Sequence, residues 1–151
     1  MKCKETNLQI RCVKWFYYQY PHLRMLLFHP RNENVSGRVQ GAIAKAEGVV
    51  AGVADLILLL PSESYNCLAI ELKTEKGRQS ASQKKFESYI TAASGLYVIC
   101  RSLESFKDVI KKYLENTPTQ LQVALNHLNE CLKQREIDEI KSLFKKKNET
   151  I

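Results

Sequence analysis

The sequence predicts an α/β domain in which a mixed sheet is flanked by helices, followed by a helical appendage. Apolar runs of strand length occur at residues 57–60, 67–73 and 96–101, and segments with helical apolar periodicity lie between and around them. The chain has 151 residues, 44% of them hydrophobic, which suits one compact core rather than two. We therefore expect a globular domain at residues 1–116 and a helical extension at residues 117–151.

The first predicted helix covers residues 4–19. Leu8, Cys12 and Phe16 recur at helical spacing, and no Gly or Pro interrupts the segment. Glu5 lies on the same stripe as Cys12 and Phe16. Two interpretations of this glutamate stay open: it favours the dipole at the helix N-terminus, or it points into a polar site beneath the helix.

A strand is expected at residues 23–29, and a long glycine-rich connection follows at residues 30–52. The connection has room for a short helix at residues 39–46. Long connections inside compact domains are usually functional or mobile. His29 stands at the end of the predicted strand, where an ordinary packed histidine is favoured over a residue of a site.

Two apolar runs, at residues 57–60 and 67–73, are separated by a short polar turn, which predicts a β-hairpin. Side chains alternate between the faces of a strand, so Glu71 and Lys73 share one face of the second strand. Charges on a strand that is otherwise apolar are destabilising unless something compensates them. Asp55, at the start of the neighbouring strand, could complete a site with Glu71 and a cation.

A second helix is predicted at residues 80–94, a further strand at residues 96–101 and a third helix at residues 102–116. Gln83 lies on the buried stripe of the second helix. It either forms a capping box with Ser80 or reaches towards the site, and the sequence leaves both interpretations open.

The extension begins with a helix start at Thr117-Pro118, and its apolar stripe changes phase near residues 133–136. The pattern fits either one bent helix or two helices. An apolar stripe must be buried, here against the protein's own core or against a second subunit.

The net charge is +7, from 23 basic and 16 acidic residues, which favours a polyanionic partner without identifying one. Nucleic acid, an acidic membrane surface and plain solubility all fit. The five cysteines are odd in number and contain no CxxC pair, so we expect reduced cytoplasmic thiols rather than disulfides or a zinc site. We expect no signal peptide and no membrane-spanning segment.

The acidic and basic residues of the hairpin suit the hydrolysis of a phosphodiester. That reaction needs a nucleophilic water and neutralisation of charge, which hard divalent cations supply when oxygen atoms bind them. Asp55 and Glu71 can hold Mg²⁺, with the Leu72 carbonyl as a third oxygen ligand. Lys73 is placed to orient or deprotonate the attacking water and to meet developing negative charge.

Residues outside the hairpin add to this candidate site. Glu5 is a candidate outer ligand or holder of a second ion, and Gln83 can hydrogen-bond the water or Lys73. Basic residues in the flanking segments suit contact with a nucleic-acid backbone without base reading. These residues are Arg31, Arg38, Lys45, Lys76, Arg78, Lys84 and Lys85.

The layout resembles the VRR-NUC domain of the PD-(D/E)xK nuclease superfamily, particularly its small stand-alone bacterial and phage members. The resemblance covers roughly residues 3–115. Ala54 stands where the family usually has Pro or Val, a mild departure that leaves every presumed ligand in place. The matching segments are Glu5…Gln9, Gly52-Val-Ala-Asp55-Leu56, Glu71-Leu-Lys73 and Gln83-Lys-Lys-Phe86.

The resemblance implies a restriction-endonuclease-like core and a role for each matching residue. Asp55 and Glu71 correspond to metal ligands, Glu5 to an acidic helper, Lys73 to the catalytic lysine and Gln83 to a supporting polar group. It also implies dependence on Mg²⁺ or Mn²⁺ and structured DNA as substrate. For stand-alone members it implies homodimers that act as Holliday junction resolvases.

Three hypotheses of function follow. The first is a metal-dependent DNA endonuclease acting on branched or structured DNA. The second is a non-catalytic nucleic-acid-binding module that keeps the fold and uses only its basic face. The third is a metal-independent RNA endonuclease, which needs a Tyr, His and Lys triad that the sequence does not assemble.

Overall fold

The fold is described by a computed structural model that covers residues 2–30 and 38–148. The helices are α1 (Lys2–Gln19), α2 (Arg38–Ala46), α3 (Ala81–Ala92), α4 (Leu103–Glu115) and α5 (Thr119–Asn148), with a 3-10 helix at Pro21–Leu26. The strands are β1 (Leu27–Phe28), β2 (Leu56–Leu58), β3 (Leu68–Leu72) and β4 (Leu96–Cys100).

The four strands form one mixed sheet in the order β1-β2-β3-β4. β1 and β2 are antiparallel, β2 and β3 form the antiparallel hairpin, and β3 and β4 are parallel with α3 as the crossover between them. The predicted α/β architecture is thereby confirmed. β3 lies in the interior of the sheet and all five of its residues are buried.

One face of the sheet is covered by α3. Ala69 of β3 and Tyr97 of β4 are partners in the parallel ladder, so their side chains lie on the same face. They form a buried cluster with Ala54, and Phe86 and Ile90 of α3 pack against this cluster. Glu71 follows Ala69 at the period of two that strands impose, so it points to the α3 side as well.

The opposite face is covered by α1 and α4. Leu72 and Cys100 are ladder partners on this face, and Cys12 of α1 and Cys100 are both fully buried. Trp15 of α1 meets Phe106 of α4 edge to face, with 6.0 Å between the ring centroids. The two helices therefore pack together over the side chains of β3 and β4 that point away from α3.

The strand predicted at residues 23–29 is wrong over most of its length. Pro21 begins a 3-10 helix that runs to Leu26, and only Leu27 and Phe28 pair with β2. The fixed φ of proline suits the first turn of a helix. Leu23 is buried in this turn, so the apolar spacing that resembled a strand combines one helical turn with a two-residue strand.

The chain divides into two compact units, residues 1–117 and 118–151. In the second unit, α5 is a single helix of 30 residues, so the alternative of two helices is wrong. Apolar side chains are exposed both before and after the phase change near residues 133–136, among them Leu128, Leu132, Ile137 and Ile140. Across the described residues, no helix has the length and apolarity that a membrane span requires.

Candidate active site

A cleft of about 900 Å³ lies where β3 leaves the sheet. α1, the end of β1, the segment before β2 and the N-terminus of α3 all contribute to its walls. Glu5, Gln9, Asp55, Lys73 and Gln83 line it, whereas the predicted ligands Glu71 and Leu72 are buried behind this lining. The fold thus brings together residues separated by up to 78 positions in the chain.

The hairpin places Asp55 beside Glu71. Leu56 pairs with Ile70, so the next antiparallel position sets Asp55 opposite Glu71. The Asp55 carboxylate reaches across and accepts a hydrogen bond from the Leu72 N–H, with 2.7 Å from N to Oδ2. This bond fixes the aspartate against the end of β3.

Glu71 is completely buried, and both oxygens of its carboxylate are hydrogen-bonded. The Lys73 Nζ lies 2.6 Å from Oε1, and the Gln83 side-chain amide donates to the same oxygen. The Tyr97 hydroxyl donates to Oε2 at 3.2 Å. A buried carboxylate needs such donors because nothing else replaces its hydration.

Gln83 serves both roles that the sequence left open. Its Oε1 accepts the Ser80 N–H at 2.8 Å, and the Ser80 hydroxyl accepts the Gln83 N–H, which completes a capping box at the start of α3. Because the oxygen of the amide is engaged by Ser80, the NH₂ group is directed to Glu71. The cap therefore fixes which end of Gln83 faces the carboxylate.

Both acidic residues carry a penalty for ionisation. Burial raises the pKa of Asp55, against the lowering effect of the Leu72 N–H. Burial also raises the pKa of Glu71; the Lys73 hydrogen bond lowers it and the nearby Asp55 charge raises it. The unsolvated negative charges thus favour an added cation or proton.

We expect the Asp55 penalty to be visible as a pH-dependent difference in stability. A carboxyl group with a raised pKa in the folded state binds protons more tightly when folded, so ionising it on going to neutral pH lowers the free energy of unfolding. Asp55→Asn keeps an oxygen for the Leu72 N–H and removes the charge. In EDTA, the Tm of this variant relative to wild type should rise between pH 4 and pH 8.

The matched control is Asp108→Asn, which alters an exposed aspartate of α4. The change in the Tm difference with pH should be larger for Asp55→Asn than for this control. A Tm difference between Asp55→Asn and wild type that does not change with pH, or that falls as the pH rises, contradicts a raised pKa for Asp55.

Glu5 enters the cleft from α1. Its Oε1 accepts the Thr74 N–H at 3.3 Å, and its charge contributes to the raised pKa of Asp55. Among the described residues, no group of three or more His, Cys, Asp and Glu side chains converges closely enough to hold a metal ion. Glu5 therefore shares the cleft with Asp55 and binds the backbone at the end of β3.

Tyr97 was not identified from the sequence. It reaches Glu71 because β4 lies parallel to β3, a register that spacing does not reveal. For His29 the less favoured alternative holds and the packed side chain is wrong: His29 is exposed, lines the cleft and has Nδ1 2.6 Å from the Asp55 carbonyl oxygen. A carbonyl only accepts, so Nδ1 carries the proton.

The candidate DNA-contacting residues are distributed unevenly. Arg78 lines the cleft, and Lys76 is exposed in the loop after β3. Lys84 and Lys85 are exposed on the first turns of α3, and Lys45 is exposed on α2. Arg31 lies outside the described residues, and so does the side chain of Arg38, the first residue of α2.

Comparison with known proteins agrees with the fold and identifies the family. The family model of the VRR-NUC domain matches residues 3–104. A solved structure described as a VRR_NUC domain protein is similar to the chain with a TM-score of 0.66 and 22% sequence identity, covering 75% of this chain and 89% of that one. At that identity the likeness shows the fold alone. No curated protein matches the chain significantly.

Proposed function

Because the chain belongs to the VRR-NUC domain family, whose members are nuclease domains, we propose that it is a divalent-metal-dependent endonuclease acting on branched or otherwise structured DNA. The observation that carries the proposal is the buried Glu71 carboxylate, held by Lys73 and Gln83 beside Asp55. A site that must admit phosphate gains nothing from two carboxylates unless a cation bridges them to the substrate.

The oxygen atoms of Asp55, Glu71 and Leu72 are the kind of ligand that a hard cation such as Mg²⁺ or Mn²⁺ prefers. Mg²⁺ is usually bound through one or two carboxylates, with waters and phosphate oxygens filling the other positions. Asp55 and Glu71 supply the two carboxylates. The N–H and C=O of a strand residue point to the same side, so the Leu72 carbonyl is directed to the side from which its N–H reaches Asp55.

Each residue of the site has a distinct task in this proposal. Asp55, Glu71 and the Leu72 carbonyl would hold the cation, which supplies charge neutralisation and an activated water. Lys73, an ammonium paired with Glu71, donates hydrogen bonds to the attacking water and meets the negative charge that develops on the phosphate. Gln83 keeps the Glu71 carboxylate in one orientation.

The main alternative is a binding module with a nuclease-like fold. The exposed cations Lys76, Arg78, Lys84 and Lys85 would suffice for such a protein. The Asp55 and Glu71 charges argue against it, because they oppose phosphate in the absence of a cation.

The test is cleavage of a labelled panel: a four-way junction, a flap, a linear duplex and a single strand, each with Mg²⁺, Mn²⁺ or EDTA. Wild type should cut the branched substrates in either metal and none in EDTA. Lys73→Ala should lose this activity by about 100-fold or more, and Lys111→Ala, which alters an exposed lysine of α4, should keep it. Tight junction binding without cleavage in either metal would establish the binding module instead.

We also propose that the active species is a homodimer. The exposed apolar side chains of α5 support an intermolecular contact, and two sites related by a twofold axis suit a four-way junction. Paired, symmetric nicks in opposite strands of the junction are the expected products. Independent, unpaired nicks contradict the dimer.

A further inference from the structure

The loop after β3, residues 74–78, is hydrogen-bonded on one side to the exposed residue Arg101. One guanidinium nitrogen, Nη1, lies 2.5 Å from the Thr74 carbonyl oxygen, 2.9 Å from that of Gly77 and 3.2 Å from that of Glu75. Hydrogen bonds from a charged donor are roughly twice as strong as neutral ones. We call residues 74–78 the clamp loop.

The beginning of the clamp loop is fixed by backbone contacts from both sides. The Lys73 N–H donates to the Cys100 carbonyl at 3.0 Å, which extends the pairing of β3 with β4 to the residue before Arg101. On the other side, the Thr74 N–H donates to Glu5. The Gly77 N–H closes a turn onto the Thr74 carbonyl at 3.0 Å.

The clamp loop also supports the side chain of Lys73. Gly77 is buried, and a Cβ added there would lie 3.2 Å from Lys73 Cδ and 3.3 Å from Lys73 Cβ. The backbone of Gly77 therefore lies against the aliphatic part of the lysine. The lysine side chain is only 12% exposed and ends on Glu71.

We propose that Arg101 is a positioning residue of the active site. Through the clamp loop it holds Gly77 against Lys73, and it fixes the loop that presents Lys76 and Arg78 beside the cleft. Arg101 acts through these residues and not on the scissile phosphate. The expected effect of Arg101 on cleavage rests on the proposed nuclease function. The expected effect of Arg101 on the clamp loop does not.

Ordering a five-residue segment that contains glycine costs conformational entropy at each residue. The hydrogen bonds that Arg101 Nη1 shares among three carbonyl oxygens offset part of that loss within the loop. Without the guanidinium these carbonyls lose their shared donor, and the segment should open independently of the sheet.

The experiment compares wild type with Arg101→Ala, Arg101→Lys and the control Arg11→Ala, which alters an exposed arginine of α1. The first readout is the initial rate of trypsin cleavage after Lys76 and Arg78, followed by mass spectrometry without metal or DNA. Arg101→Ala should raise these two rates by about tenfold or more, while cleavage at the other sites that both proteins share stays unchanged. Arg101→Lys keeps the charge but loses the planar fork, and should give an intermediate rate.

The second readout is cleavage of the preferred DNA. Arg101→Ala should lower the rate at saturating DNA by about tenfold, because Lys73 loses its support, and should also weaken DNA binding in EDTA. Arg101→Lys should recover part of both.

Two outcomes overturn the inference. One is a loop cleavage rate in Arg101→Ala and Arg101→Lys that matches wild type. The other is equal acceleration at all trypsin sites in both variants, which indicates global destabilisation instead of a local clamp. If wild type cuts no DNA but its loop depends on Arg101 as described, the proposed function fails while the clamp stands.

Discussion

Glu71→Gln is expected to lower the single-turnover rate of DNA cleavage on the order of 1000-fold. Glutamine has nearly the shape of glutamate, but it removes the negative charge that holds Lys73 at 2.6 Å and that would bind the cation. The NH₂ group of the glutamine would also replace one carboxylate oxygen. Both oxygens accept hydrogen bonds, Oε1 from Lys73 and Gln83 and Oε2 from Tyr97, so one set of donors would then face another donor. The rate is measured with excess protein over junction DNA in Mg²⁺.

The control for this variant is Glu63→Gln, which alters an exposed glutamate in the turn between β2 and β3. It should cleave at the wild-type rate. Binding of junction DNA in EDTA should persist in Glu71→Gln, since the basic residues around the cleft are unchanged. Cleavage by Glu71→Gln within about tenfold of wild type would contradict a direct role for this carboxylate.

Gly52→Ala is expected to destabilise the domain by roughly 2–5 kcal/mol and to lower cleavage severely. Gly52 has a φ of +83°, and a Cβ there would lie 2.3 Å from the Ser82 carbonyl carbon and 2.6 Å from the Gln83 nitrogen. The estimate combines about 1–2 kcal/mol for the left-handed backbone with about 1–3 kcal/mol for overpacking. Separating Gly52 from α3 displaces Gln83 relative to Glu71, and with it the segment that leads to Asp55.

Gly48→Ala separates the two causes. Gly48 has a φ of +89°, but a Cβ there meets nothing within 4 Å. It should therefore lose only about 1–2 kcal/mol and keep its activity. Urea unfolding and junction cleavage measure both variants. Equal losses in the two variants would show that contact of Gly52 with α3 does not position the site.

Much of the fold could be predicted because its elements carry their own periodicity. The apolar stripes of α1, α3 and α4 and the apolar runs of β3 and β4 depend on local spacing. The nearness of Asp55 and Glu71 was also predictable, because two consecutive apolar runs form a hairpin. The nine-residue connection between β2 and β3 does not itself fix the register, in which Leu56 pairs with Ile70. The hydrophobic pattern failed at residues 23–29, where one helical turn and two strand residues give similar spacing.

The parts of the site that could not be predicted depend on contacts across the crossover between β3 and β4. Tyr97 meets Glu71, and Arg101 meets the clamp loop, only through the parallel register of these strands, which no turn fixes. Gln83 shows a different limit. Its spacing left a cap and a site both open, and the structure contains both because one side-chain amide has an acceptor end and a donor end.

We propose that Asp55 and Glu71 together bind a catalytic divalent cation. This binding is tested most directly by calorimetric titration of Mn²⁺ into wild type, Asp55→Asn and Glu71→Gln, with Glu63→Gln as control. Saturable binding in wild type and in the control, with affinity more than about 100-fold weaker in both site variants, is the predicted result. Equal affinity in all four proteins, or DNA cleavage by a wild type that binds no Mn²⁺ or Mg²⁺, would contradict it.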